Sequence, residues 1–114
     1  MAVNSDCVFC RIVAREIPAT VVREDEHTLA FKDLNPRAPL HVLVVPKAHV
    51  GRVADLDDEA LAGRLILAAA AVARDAGYGE NFRLVVNNGA GAGQSVFHVH
   101  VHVLGGRSFS WPPG

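Results

Sequence analysis

His98-Val99-His100-Val101-His102-Val103 is the stretch that decides how this chain is read. Side chains of an extended strand alternate between its faces, so a period of two puts the three histidines on one face and the three valines on the other. The valines bury and the histidines line a site. Successive same-face residues lie roughly 6.6 Å apart, so a ligand the size of a phosphate can meet more than one imidazole. Three histidines are a costly way to build a core, and the plain alternative is a polar face turned to solvent.

Working outward, Gly89-Ala90-Gly91-Ala92-Gly93-Gln94-Ser95 precedes the histidines directly. Glycines there let backbone N–H groups approach an anion, although such a loop between two strands is more often only a turn. The spacing predicts strands over Phe82–Asn87 and Val96–Leu104 on either side of it. Leu61, Leu65, Ala68, Val72 and Ala76 mark one face of a long helix over Asp57–Ala76, with acids at its start and Gly77 just past its end. Nearer the N-terminus, Val8, Phe9, Ile12 and Val13 recur at helical spacing, predicting a short helix over Cys7–Ala14 that Pro18 stops. Thr20–Arg23 and Thr28–Asp33 form a hairpin across Glu24-Asp25-Glu26, and His41–Val45 makes a third strand closed by Pro46. Runs of strands with helices between them favour an α+β fold with a five-stranded antiparallel sheet, one long helix and one or two short ones.

The chain has 114 residues, half of them apolar, and a net charge of −1. That suits one soluble domain and lacks the basic field that nucleic acid or an anionic membrane requires. The expected division is a flexible N-terminus, 1–6, and a single domain, 7–114, that includes a C-terminal arm, 105–114. Met1–Asp6 has no basic or apolar run typical of a secretory signal, and Leu65–Ala73 is too short to span a bilayer, so a reducing cytoplasm is expected. In that compartment Cys7 and Cys10 suggest a metal or redox pair before a disulfide. Two thiolates at C-x2-C spacing can grip one Zn²⁺, and His49 and His98 could complete a tetrahedral set.

The histidine strand resembles the signature of the histidine-triad (HIT) family, and the similarity extends further. Cys7-Val-Phe-Cys10, Glu16-Ile17-Pro18, Leu29-Ala-Phe-Lys-Asp33, Asn35-Pro36, Val45-Pro46-Lys47-Ala48-His49, Asn87-Asn88-Gly89 and Trp111-Pro-Pro-Gly114 all resemble segments of that family. The ending, with Leu104-Gly105-Gly106-Arg107, is similar to its nucleoside phosphoramidase branch. The resemblance implies a HIT-like fold and a purine nucleotide-binding hydrolase that separates a nucleoside 5′-monophosphate from an amine, in a phosphoramidate or an aminoacyl-adenylate. His100 would be the nucleophile, carrying the nucleotide covalently until water releases it. A neutral imidazole with an ordinary pKa of about 6.5 suits that task.

The same resemblance makes His102 a contact to the phosphate or leaving group and places the Ser95 hydroxyl near the leaving atom. It implies phosphate contacts at Asn87, Gly93 and Ser95, ribose contacts at Asp33, and a purine pocket of Val8, Phe9, Ile12, Phe31 and Leu34. From pattern alone Asp33 is a turn former and those apolar residues belong to the core. Family members that carry the four residues Cys7, Cys10, His49 and His98 bind structural zinc. The branch pairs as homodimers through its long helix and a sheet edge, and the stiff Trp-Pro-Pro-Gly tail is expected as a fixed arm near the active-site mouth, reaching the partner's site. The alternatives are a dinucleoside polyphosphate hydrolase with the same nucleophile and a non-catalytic nucleotide-binding or interaction module; the Trp-Pro-Pro-Gly ending disfavours the first, and intact His100 with Ser95 the second.

Overall fold

A computed structural model describes residues 6–114, so the expected flexible stretch 1–6 lies, except for Asp6, outside the described residues. Helix α1 is Val8–Val13, strands β1 and β2 are Val21–Glu24 and Thr28–Lys32, and β3 is Leu40–Pro46. Helix α2 is Glu59–Asp75, followed by β4, Phe82–Val85, and β5, Val101–Gly105. Single 3₁₀ turns lie at Val53–Asp55 and Ala90–Ala92. The strands form one sheet in the order β1-β2-β3-β5-β4, every neighbouring pair antiparallel. No helix among the described residues is long and apolar enough to cross a membrane.

Period-two alternation gives the sheet two different faces. Ala30, Val42, Val44, Val101 and Val103 point to one side and bury against Leu65, Ala68, Ala69, Val72 and Ala73 of α2. Leu29, Phe31, Leu43 and Val45 point to the other and bury against Phe9, Cys10 and Ile12 of α1 and against Cys7, which caps it. Val44, Val45 and Val103 have no exposed surface, and each such side chain contributes about 1.5–3 kcal/mol relative to exposure. The α2 face differs slightly from the one expected: Ala69 and Ala73 are buried, whereas Ala76 is exposed and Leu61 only partly covered.

The helix ends follow local chemistry. The Asp58 side chain accepts the Leu61 N–H at the start of α2, and Gly77, at φ +90°, follows its end. There the Tyr78 and Gly77 N–H groups bond the Ala73 and Arg74 carbonyls, a Schellman closure. Helix α1 closes in the same way, well before Pro18. Arg15 takes the left-handed conformation, φ 64°, while Glu16 N–H and Arg15 N–H bond the carbonyls of Arg11 and Ile12. A non-glycine residue filling that position leaves no sequence signal; the helix ends where expected, closed by this turn ahead of Pro18.

The fifth strand is also shorter than predicted, since Val101 is its first residue and the chain from Val96 to His100 leaves the ladder. Val99 N–H bonds the Val50 carbonyl at 2.7 Å instead of a β3 partner. Likewise β4 stops at Val85, short of Asn87. After β5, Gly106 turns the chain at φ +89°, and a Cβ there would lie 2.8 Å from Pro39 Cβ. The following arm is pinned by guanidinium groups: those of Arg107 and Arg83 lie 4.3 and 5.1 Å from the Phe109 ring centre, and Arg83 Nη2 donates to the Ser110 carbonyl.

Gly106→Ala combines a disfavoured φ with a backbone-proximal clash and should cost on the order of 1–3 kcal/mol. Thermal denaturation should register a melting temperature lower by at least about 5 °C. A variant that melts within about 1 °C of wild type would contradict this account of the turn.

Candidate active site

Between α1 and the sheet lies a cleft of about 290 Å³. Val8, Phe9, Ile12, Phe31, Asp33, Leu34, Ser95, His100 and His102, all predicted from sequence, line it. Phe9, Ile12 and Phe31 serve at once as core and wall, whereas Leu34 is 98 % exposed at the rim. Asn87 and Gly93 do not reach this cleft; they adjoin one another in the preceding loop, where a Gly93 Cβ would lie 3.7 Å from Asn87 Nδ2. The arm does not line it either, and Trp111 is 83 % exposed. Within one chain the arm is fixed, but not at its own cleft mouth.

His100 is buried on the α1 face, 7 % exposed, so the histidine face is covered and not open to solvent. Phe9 packs edge-on to its ring at 5.1 Å between centres. His100 Nδ1 is 2.8 Å from the His98 carbonyl, which can only accept, so Nδ1 carries the proton. In the neutral ring Nε2 therefore keeps its lone pair, free for attack on an electrophile.

His102 lies beside it, ring centres 5.0 Å apart, with a tautomer set from further away. The Arg37 N–H donates to His41 Nδ1 at 3.0 Å, so His41 carries its proton on Nε2 and donates it to His102 Nδ1, also at 3.0 Å. His102 is left with an Nε2–H. Asp33 Oδ2 sits 3.4 Å from His41 Nε2. Burial holds His41 below the ordinary imidazole value despite Asp33, so the His41–Asp33 pair is not a strong ion pair. Burial, reinforced by the neighbouring His100 and His41, pushes His102 down to about 4. Both rings are neutral near pH 7.

Among the described residues, two side-chain groups hold their ligand atoms within 4.8 Å of one another: Cys7, Cys10, His49 and His98, and Asp33, His41 and His102. Hydrogen bonding separates them. His98 Nε2 lies 2.8 Å from the Pro46 carbonyl and carries the proton, turning the Nδ1 lone pair toward Cys7 and Cys10 Sγ at 3.4 and 3.5 Å. His49 Nδ1 lies 3.2 Å from Cys10 Sγ. Ligands of tetrahedral zinc, with bonds of about 2.3 Å to sulfur and 2.0 Å to nitrogen, lie roughly 3.5 Å apart. The first group fits zinc, including the outer hydrogen bond that metal-bound histidines make. In the second, the ring nitrogen of His41 nearest its neighbours carries a proton and cannot ligate.

Three contributors were invisible in the sequence. Leu43 supplies the cleft floor from β3, and His41 reaches His102 across the β3–β5 pair, two register positions from the Leu43–His102 partnership and so on the same face. Gln94, 3 % exposed, ties the glycine loop together: its Oε1 accepts from Gly89 N–H and its Nε2 donates to the carbonyls of Gly51 and Val96. A polar residue between Gly93 and Ser95 looks like ordinary loop, and only burial distinguishes it.

The HIT domain family model matches residues 14–109 of this chain. The chain is 57 % identical over 111 residues to a HIT-like protein of Synechocystis sp., covering 96 % of this chain and 97 % of that one. It is 44 % identical over 113 residues to the 14 kDa zinc-binding protein of Brassica juncea, covering 96 % and 100 %. Among solved structures it is similar to a HIT family hydrolase from Legionella pneumophila, with a TM-score of 0.92, 46 % identity, and coverage of 95 % and 99 %.

The depressed His102 value has a pH consequence. Unfolded histidine takes up a proton near 6.5 but folded His102 only near 4, so between these values the unfolded state binds more protons. The stabilisation is complete above pH 6.5 and is lost as pH falls toward 4. Chemical denaturation at pH 7 and pH 5 should show a larger loss for wild type than for His102→Gln; equal losses would contradict a neutral, buried His102.

Proposed function

The chain belongs to the HIT family, and from that premise we propose that it is a nucleoside phosphoramidase, cleaving a nucleoside 5′-monophosphate from an amine through a nucleotidyl-His100 intermediate. The observation that carries this is the His100 tautomer: a buried ring with its proton committed to the His98 carbonyl and its Nε2 beside an apolar, nucleoside-sized cleft. The similar Legionella pneumophila protein is named a hydrolase, which supports the same class of chemistry.

The purine would lie between Phe9, Ile12 and Phe31, with Val8 and Leu34 at the rim, and the Asp33 carboxylate would accept the ribose hydroxyls. The Gln94-braced loop with Asn87, Gly93 and Ser95 would then meet the phosphate. His100 Nε2 attacks the α-phosphorus as the phosphorus–nitrogen bond to the amine breaks. The positive charge gained by the ring is stabilised at Nδ1–H by the His98 carbonyl. His102, a neutral donor through Nε2–H, holds a phosphoryl oxygen. The amine departs with a proton passed from solvent along the exposed Ser95 hydroxyl, and water then cleaves the phosphorus–His100 bond.

Cys7, Cys10, His49 and His98 would hold one zinc ion, as supported by their hydrogen-bond geometry and by the similar zinc-binding protein of Brassica juncea. Bound zinc supplies a structural crosslink. The two buried thiols, not joined as a disulfide, suit a reducing compartment such as the cytoplasm. A homodimer is part of the proposal: β4 is an edge strand, α2 exposes Ile66 and Leu67, and the outward Trp111 would be free to enter a partner's site.

Mass spectrometry of protein mixed with adenosine 5′-phosphoramidate should detect an adenylyl group on His100. His100→Ala should lose turnover by at least about 1,000-fold while still binding AMP. Turnover within about tenfold of wild type in that variant would overturn the assignment.

A further inference from the structure

Helix α1 faces two sites at once. Over little more than one turn, the helix and its capping residue carry two thiols of the metal cluster, Cys7 and Cys10, and three residues of the cleft, Val8, Phe9 and Ile12. Phe9, between the cysteines, packs edge-on to Phe31 at 5.4 Å, to His100 at 5.1 Å and to His98 at 5.9 Å between ring centres. Its ring is thus part of the proposed base wall and also lies against both a metal ligand and the nucleophile.

His98 makes a second link. Its ring turns Nδ1 to both sulfurs, while its main-chain carbonyl holds the His100 Nδ1–H. The residues around it are not held by the sheet, because β3–β5 pairing begins at Val101. They depend on Val99 N–H to the Val50 carbonyl, on the His98 Nε2–H to the Pro46 carbonyl at the end of β3, on Gln94 and on the cysteine–histidine cluster itself. His49, next to Val50, belongs to that cluster. A metal there would clamp α1, the Pro46–Val50 segment and the His98 segment, three pieces of chain that position His100 and Phe9 but share no strand ladder with one another.

We infer that Phe9 and His98 are positioning residues that couple the metal cluster to the nucleotide cleft, so that metal occupancy sets the nucleophile and base wall, and bound nucleotide tightens the metal. This rests on the nucleotide and zinc assignments proposed above. Coupling of this kind is reciprocal: metal changes nucleotide affinity by the same factor as nucleotide changes metal affinity.

The test uses the zinc-loaded protein, expected to carry about one zinc per chain. Competition for zinc with a chromophoric chelator should show the metal held at least about fivefold more tightly with saturating AMP, and calorimetry should give AMP the same factor between zinc-loaded and zinc-stripped protein. In Co²⁺-substituted protein the ligand-field bands should shift when AMP binds. Phe9→Leu should retain the cobalt–thiolate absorption and lose most of the AMP effect. Should stripping unfold the chain, the chelator competition and the cobalt spectrum still decide. AMP that binds while leaving zinc affinity within about twofold and the cobalt bands unmoved would overturn the coupling and leave the nucleotide assignment standing. Failure of both forms to bind AMP would overturn both.

Discussion

The hydrogen bond from His100 Nδ1–H to the carbonyl of His98, 2.8 Å long, is the contact on which the site depends. It commits one ring nitrogen and so frees the other, and it reaches only two residues along the chain. Its geometry therefore depends on where the His98 backbone sits. That backbone is placed by buried contacts on every side: Pro46 and the cysteines around the ring, Val50 at the next residue, and Phe9 across both imidazoles. An imidazole held this way would cost little to orient if it acts as the proposed nucleophile, the condition under which positioning contributes most to rate.

The two faces of the sheet divide the labour. On one, valines of β3 and β5 and the small residues of α2 make a dry layer that fixes the strand pair. On the other, the same alternation presents histidines to a cleft walled by α1. Because period-two alternation couples the faces, packing Val101 and Val103 against α2 also aims His102 away from it. His41 uses the β3–β5 register to hold His102 in the complementary tautomer, so the neighbouring rings offer a lone pair and a donor respectively.

Much of this was legible in the sequence because alternation and helical spacing are strong, local signals. The five strands and the long helix, with acids at its start and Gly77 just past its end, follow from them, whereas the convergence of α1 with the histidines on one cleft rested on the family resemblance, since from pattern alone Val8, Phe9 and Ile12 belong to the core. What was not legible required knowing where hydrogen bonds leave the regular pattern. The apolar alternation runs unbroken from Val99 to Val103, yet pairing begins only at Val101 because Val99 bonds Val50. Arg15 closes α1 in a conformation usually filled by glycine. Gln94 and His41 look like an ordinary loop residue and an ordinary strand residue until burial and partners are seen.

The central claim is that His100 attacks through Nε2 because Nδ1 is held by His98. Nitrogen-15 and phosphorus-31 NMR of the trapped nucleotidyl enzyme, made with ring-labelled histidine, tests it most directly. The account predicts phosphorus coupled to Nε2 of His100, with Nδ1 still protonated and hydrogen-bonded; phosphorus on Nδ1, or on any other residue, would contradict it.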